Sequence, residues 1–159
     1  AEAVVVLGPA SDEIAAACDL KRARTVANPD WQRGMTSSLQ CGVRALPDFA
    51  EGFLVWPVDV PLVPAPTARE LGLRFWILRQ NRRDPIVVPK AGRRGHPVLF
   101  DRGYAAEILA LRDSEPPRAI LERHPESVEE IEAGEEVVRD LDTPGDFEMA
   151  KNSLGRPNP

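Results

Sequence analysis

An α/β fold on a mostly parallel sheet is what this sequence predicts, and three observations carry that prediction. Residues 3–27 run strand, helix, strand with short connections, which implies a right-handed crossover and a parallel pair. Phe53 to Val63 and Asp84 to Pro89 are continuous apolar runs, as in strands buried on both faces, rather than alternating ones. Apolar residues at helical spacing stand between them, at Leu39, Val43 and Leu46 and again at Leu71, Phe75 and Leu78.

In chain order, Ala3 to Leu7 is a β-branched run closed by Gly8 and Pro9. Ser11 and Asp12 offer N-caps to a helix over Glu13 to Cys18, whose alanines allow close packing on a sheet. Thr25 to Ala27 reads as the second strand, Asn28 to Trp31 as a turn, and Gly34-Met35-Thr36-Ser37-Ser38 as the entrance to a helix over Leu39 to Leu46. The first-turn amides of such an entrance lack intrahelical partners and can bind an anion or a polar ring edge; ordinary capping by Thr36 or Ser37 explains the same residues.

Thr67 is placed as the cap of the helix carrying Leu71, Phe75 and Leu78. Asp84 to Pro89 is a strand, Ala91 to His96 a glycine-bracketed basic loop, and Val98 to Phe100 a further strand. Two guanidiniums and an imidazole between glycines suit a phosphate, and an exposed loop is the alternative. Helices follow from Asp101 to Leu111 and from Pro117 to His124. Ser127 to Glu136 has the acidic alternation of an edge strand and its turn, and Val137 to Pro144 reads as the last strand, with Asp140 and Asp142 two apart on one face. Thr143 caps a final helix with Pro144 in its first turn, and residues 152–159 are expected to be a disordered tail.

One carboxylate, Asp59, interrupts the most apolar segment of the chain. Pro57 and Pro61 stop a strand at about that position, and crevices at strand carboxyl ends bind ligands in open α/β sheets. A turn residue is the other reading of Asp59.

A chain of 159 residues is expected to form one domain over 1–151. Its 43% hydrophobic and 28% charged residues exclude a wholly disordered protein, and a net charge of −5 argues against a nucleic-acid partner. Cys18 and Cys41 have neither disulfide nor zinc-ligand spacing, and no run reaches membrane-spanning length, so a soluble protein of the reducing cytoplasm is expected.

Four stretches together, Gly34 to Leu39, Pro57 to Val63, Gly92 to Phe100 and Asp140 to Phe147, resemble the successive motifs of MobA-like nucleotidyltransferases, most of all the molybdenum cofactor cytidylyltransferase branch. The resemblance runs from Ala3 to about Lys151, with Thr36 for the usual Ser and Val58 for the more frequent Gly. It implies a three-layer, Rossmann-like sheet of the nucleotide-diphospho-sugar transferase type. By position it makes Asp59 and Asp142 the catalytic, magnesium-binding pair and Gly34, Met35, Ser37 and Ser38 the base and ribose loop. Arg94, Gly95, His96 and Pro97 would line the acceptor side. The implied partners are a nucleoside triphosphate, CTP favoured, and a molybdopterin-type acceptor; the alternative is a non-catalytic module that keeps the fold and binds a nucleotide, pterin or partner.

The family's opening strand and Leu-Ala-Ala-Gly loop, with its Arg and Lys for the triphosphate, have no match here. Little transferase activity is therefore expected of this chain alone. The strands at Ala3 to Leu7 and Phe53 to Trp56 would flank the absent one, about two strand spacings or roughly 9.6 Å apart. They are expected to pair directly or to receive a partner's segment, a second copy included, because open apolar edges invite association.

Overall fold

A computed structural model of the protein describes residues 2–81 and 84–154. The last two residues of the basic stretch Arg79 to Arg83, and the expected tail beyond 154, lie outside the described residues. Contacts divide the chain into two compact units, residues 1–53 with 101–127 and residues 54–100 with 128–159.

The first unit opens with β1 (Ala3–Leu7), α1 (Ser11–Ala17) and β2 (Ala23–Ala27). The two strands pair in parallel, Ala3 with Ala23 through Leu7 with Ala27, as the strand-helix-strand pattern predicts. The expected packing of the α1 alanines is not found, since no residue of that helix is buried. Helix α2 (Met35–Arg44) covers β1 instead, its glycine at 42 leaving just enough room for Val6. A 3₁₀ turn over Arg102–Tyr104, α4 (Ala105–Leu109) and α5 (Ala119–Arg123) complete the unit, with Ile108 and Ile120 fully buried.

The chain leaves the first unit within β3 (Gly52–Val55) and returns within β6 (Val98–Asp101). β3 is four residues long, so the apolar run from Phe53 to Val63 is not one strand; prolines 57 and 61, which cannot donate to a ladder, break it into turns. Helix α3 (Ala65–Asn81) starts two residues before the expected cap Thr67, and buries Leu71, Phe75 and Leu78 against Val87 and Leu99. Burial of each such side chain contributes about 1.5–3 kcal/mol.

Strand β4 (Ile86–Ala91) is the centre of the second unit. It pairs antiparallel with β6, Ile86 with Phe100 and Val87 with Leu99, and parallel with β7 (Val128–Glu132) over five residues. Pro89 is tolerated because the ladder to β6 has ended two residues before it. Beyond it β4 turns back at Gly92 into β5 (Arg93–Arg94), so the expected basic loop is a tight hairpin. β3 borders β6 in the strand order β3-β6-β4-β5.

Three expectations need correction. Val137 to Pro144 is not a strand: residues Glu135–Val138 form a 3₁₀ turn and the chain then runs irregularly to α6 (Pro144–Leu154). Val137 is drawn into a cluster with Val60 and Val63 rather than into a ladder. α6 itself continues through Asn152–Leu154, where a disordered tail was expected. Of the two arrangements expected for β1 and β3, direct pairing is not found, for β1 lies in a two-stranded sheet with β2 and β3 in the five-stranded sheet. The cap of α6 is as read: Thr143 and Asp146 exchange backbone-to-side-chain bonds at 2.9 and 3.2 Å.

The hairpin depends on Gly95, where an added Cβ would meet the Val137 carbonyl oxygen at 2.3 Å. Gly95→Ala is expected to cost about 2–3 kcal/mol in urea unfolding. Gly72→Ala, in the middle of α3 with no atom within 4 Å of the new Cβ, is expected to stabilise by about 0.4–1 kcal/mol in the same measurement.

Candidate functional site

The expected metal pair lies wholly in the second unit. After β3 the chain turns at Pro57 to Val60, closed by the Val60 amide on the Pro57 carbonyl at 3.3 Å and by Trp56 Nε1 donating to the Val60 carbonyl at 2.8 Å. Val60 and Val63 are buried, so the turn is anchored below while Asp59 at its crest is exposed. The turn reading of Asp59 thus holds, and the turn presents the carboxylate. Its backbone carbonyl accepts the Leu141 amide at 2.7 Å, which brings the segment carrying Asp140 and the exposed Asp142 alongside.

The hairpin supplies the neighbouring wall. Gly95 donates to the Pro89 carbonyl at 2.8 Å and His96 to the Val137 carbonyl at 2.7 Å; the His96–Pro97 peptide is cis. Burial holds the His96 imidazole below its ordinary value of 6.5, against the opposing pull of Asp140 and Asp59, so the ring is neutral at neutral pH. Its Nδ1 is buried and has no hydrogen-bond partner. Arg93 donates Nη2 to the Val138 carbonyl at 2.7 Å. Arg94 instead reaches Glu130 at 2.8 Å, where Lys90 also binds at 2.7 Å, so this guanidinium is committed to β7. The sequence reading placed Arg93 in the basic loop and Asp140 two residues before Asp142 without giving either a role of its own; here Arg93 holds the Val138 carbonyl and Asp140 acts on the His96 ring.

The Gly34–Ser38 loop belongs to the first unit. Gly34 is the N-cap of α2 with φ of 96°, a conformation that side chains other than glycine's adopt at a cost, and no side chain caps this end. The expected capping by Thr36 or Ser37 is replaced by a network. Buried Asn28 donates to Ser37 Oγ at 2.9 Å and Ser38 Oγ at 3.1 Å, while Ser37 Oγ donates toward the Asp30 and Gly34 carbonyls. Asn28 Oδ1 also accepts the Asp30 amide at 3.0 Å, the local Asx bond that Asn28-Pro29-Asp30 announces in sequence.

Among the described residues no three His, Cys, Asp or Glu side chains come together as a metal cage. One or two exposed carboxylates completed by water and phosphate oxygens are the donor set that magnesium takes. No helix among the described residues is long and apolar enough to cross a membrane.

Hydrogen bonds from Lys90 and Arg94 hold the Glu130 carboxyl below its ordinary 4.5. A depressed carboxyl stabilises the fold above its unfolded pKa, and that contribution disappears as pH falls through the folded value. Glu130→Gln is therefore expected to lower the urea midpoint at pH 7 and to leave it closer to wild type at about pH 3. An equal gap at both pH values would contradict the linkage.

The MobA-like NTP transferase domain model matches residues 1–128. The nicotine blue oxidoreductase of Paenarthrobacter nicotinovorans is 30% identical over 146 residues, covering 89% of this chain and 71% of that protein. The crystal structure of Rv0371c from Mycobacterium tuberculosis H37Rv superposes with a TM-score of 0.76 at 25% identity, over 94% of this chain and 74% of its own. Its complex with manganese does so with a TM-score of 0.70 at 22% identity, over 96% and 78%. A nucleotidyl transferase from Methanothermobacter thermautotroptrophicus shares the fold with a TM-score of 0.78 at 20% identity, over 99% of this chain and 74% of that one. With its sequence motifs, its fold and these similarities in agreement, the chain belongs to the MobA-like NTP transferase domain family.

Proposed function

We propose that this protein acts in nucleotidyl transfer, moving a CMP- or GMP-type group from a nucleoside triphosphate, CTP by preference, to a phosphorylated acceptor such as molybdopterin. The observation that carries the reading is the 2.7 Å bond from Leu141 to the Asp59 carbonyl, which sets the Asp59 turn beside the segment bearing Asp142. In this reading an acceptor phosphate oxygen attacks the α-phosphorus in line, a new P–O bond forms, the α–β bond breaks and pyrophosphate leaves. Asp59 and Asp142 hold magnesium, whose charge when bound offsets that developing on the phosphoryl oxygens. Gly34, Met35, Ser37 and Ser38 receive the base and ribose, with Asn28 fixing the two serine hydroxyls. Of the acceptor-side residues read from the sequence, His96 faces the acceptor, while Pro97, fully buried, and Gly95, buried with its amide on the Pro89 carbonyl, act only by shaping the hairpin behind it. Arg94 contributes there only if it leaves Glu130. The domain assignment, residues 1–151 as one nucleotidyltransferase-like domain, is part of the same proposal.

A second reading, a module that keeps the fold and binds a nucleotide, pterin or partner without transfer, is favoured by one finding. The relative at 30% identity is an oxidoreductase by name, so family membership does not by itself carry nucleotidyl transfer.

Calorimetry with CTP, GTP and ATP, with and without magnesium, combined with a pyrophosphate-release assay on a pterin acceptor, separates the readings. Little turnover is expected of this chain alone, so turnover supports transfer and overturns that expectation. Magnesium-strengthened binding without turnover is what the transfer reading expects, and binding that magnesium does not strengthen supports the module. Where magnesium strengthens binding, Asp59→Asn and Asp142→Asn are expected to remove that part of the nucleotide affinity, about tenfold or more, with the circular dichroism spectrum unchanged. Unaltered magnesium dependence in both variants would refute the metal assignment.

A further inference from the structure

In the first unit the entrance of α2 is gripped along one side by residues 108–115. Arg33, immediately before Gly34, donates Nε and Nη2 to the two Asp113 oxygens at 2.9 and 2.8 Å. Thr36 Oγ1 donates to the Glu115 carbonyl at 2.8 Å. A turn later, Gln40 Nε2 donates to the carbonyls of Ile108, Leu109 and Leu111 at 3.2, 3.3 and 2.9 Å, closing the carboxyl end of α4. Steps of three and four residues put positions 33, 36 and 40 on one side of the helix and its approach. Thr36 and Gln40 are both buried.

The gripping segment is itself braced. Glu115 accepts the Arg112 amide at 2.9 Å and pairs with Arg123, which pairs in turn with Glu107 at 3.1 Å. The far side of the loop is held by Asn28 and Asp30. With glycine at its N-cap and no capping side chain, the loop takes its position from these two flanks. A bidentate guanidinium–carboxylate pair fixes orientation as well as distance, which a single point charge does not.

We propose that Arg33 and Asp113, together with the Thr36 hydroxyl and the Glu115 carbonyl, are positioning residues for nucleotide binding, holding Gly34–Ser38 in its receiving conformation. This rests on the reading of that loop as the nucleotide loop. Ordering it in advance removes an entropic cost from binding, so loosening the grip weakens affinity without touching the ligand.

The test uses the full chain and two readouts: hydrogen exchange of residues 34–38 in the free protein, and the Kd for magnesium CTP, GTP and ATP. Asp113→Asn is expected to speed exchange at 34–38 but not in β1 and β2, and to raise Kd about two- to fivefold at an unchanged Tm. Thr36→Val should act in the same direction. Asp113→Glu, which keeps the ion pair while leaving the Arg33–Asp30 contact in place, should keep both readouts near wild type, and Arg118→Ala, which removes the separate surface pair with Glu122, should move neither. Unaltered exchange, exchange raised throughout the unit, or an unaltered Kd in a chain that binds nucleotide overturns this proposal alone. A wild-type chain that binds none of the three nucleotides overturns the loop assignment and this proposal together.

Discussion

The second unit depends on a strap of backbone hydrogen bonds that fixes a stretch of chain having no strand of its own. The Ala133 amide binds the Lys90 carbonyl at 2.9 Å, His96 binds the Val137 carbonyl at 2.7 Å, and the Leu141 amide binds the Asp59 carbonyl at 2.7 Å. Each contributes a net of about 0.5–1.5 kcal/mol. Val137, fully buried against Val60 and Val63, pins the middle of the strap. The Asp59 turn, His96 and the Asp140–Asp142 segment all take their places from it.

Charge in this unit is divided between structure and site. Glu130 gathers Lys90 and Arg94 on the outer strand β7, a pairing that blunts a sheet edge. Arg93, the next residue along the strand, projects to the opposite side and binds the Val138 carbonyl. Burial holds the His96 imidazole below its ordinary value although the carboxylates of Asp140 and Asp59 pull the other way. In the first unit the Ser37 hydroxyl is tied to Asn28 and to the Asp30 and Gly34 carbonyls, while Ser38 Oγ accepts from Asn28.

The family relation accounts for the fold without settling the chemistry. A nucleotidyl transferase and an oxidoreductase are both among the similar proteins, and the same scaffold can carry different sites.

The sequence by itself determined what short-range chemistry controls. β1, α1 and β2 follow from a β-branched run, an alanine-rich segment and short connections, although the expected caps Ser11 and Asp12 lie within α1, whose N-cap is Ala10 with no capping side chain. The α6 cap follows from Thr143, Pro144 and Asp146 at fixed offsets, and the core face of α3 from its 3.6-residue spacing. The four motifs that carried the resemblance were contiguous stretches and so could be read directly. Tertiary structure decided the rest. Val137 to Leu141 has strand composition, but a strand needs a neighbour; Val137 gains more from burial beside Val60 and Val63, so the segment turns instead. Which partner each arginine of the hairpin takes depends on Val138 and Glu130, 45 and 36 residues away in sequence. The grip on the α2 entrance joins residues about 80 positions apart. Periodicity reports the surface a segment offers, and only the fold supplies the surface that meets it.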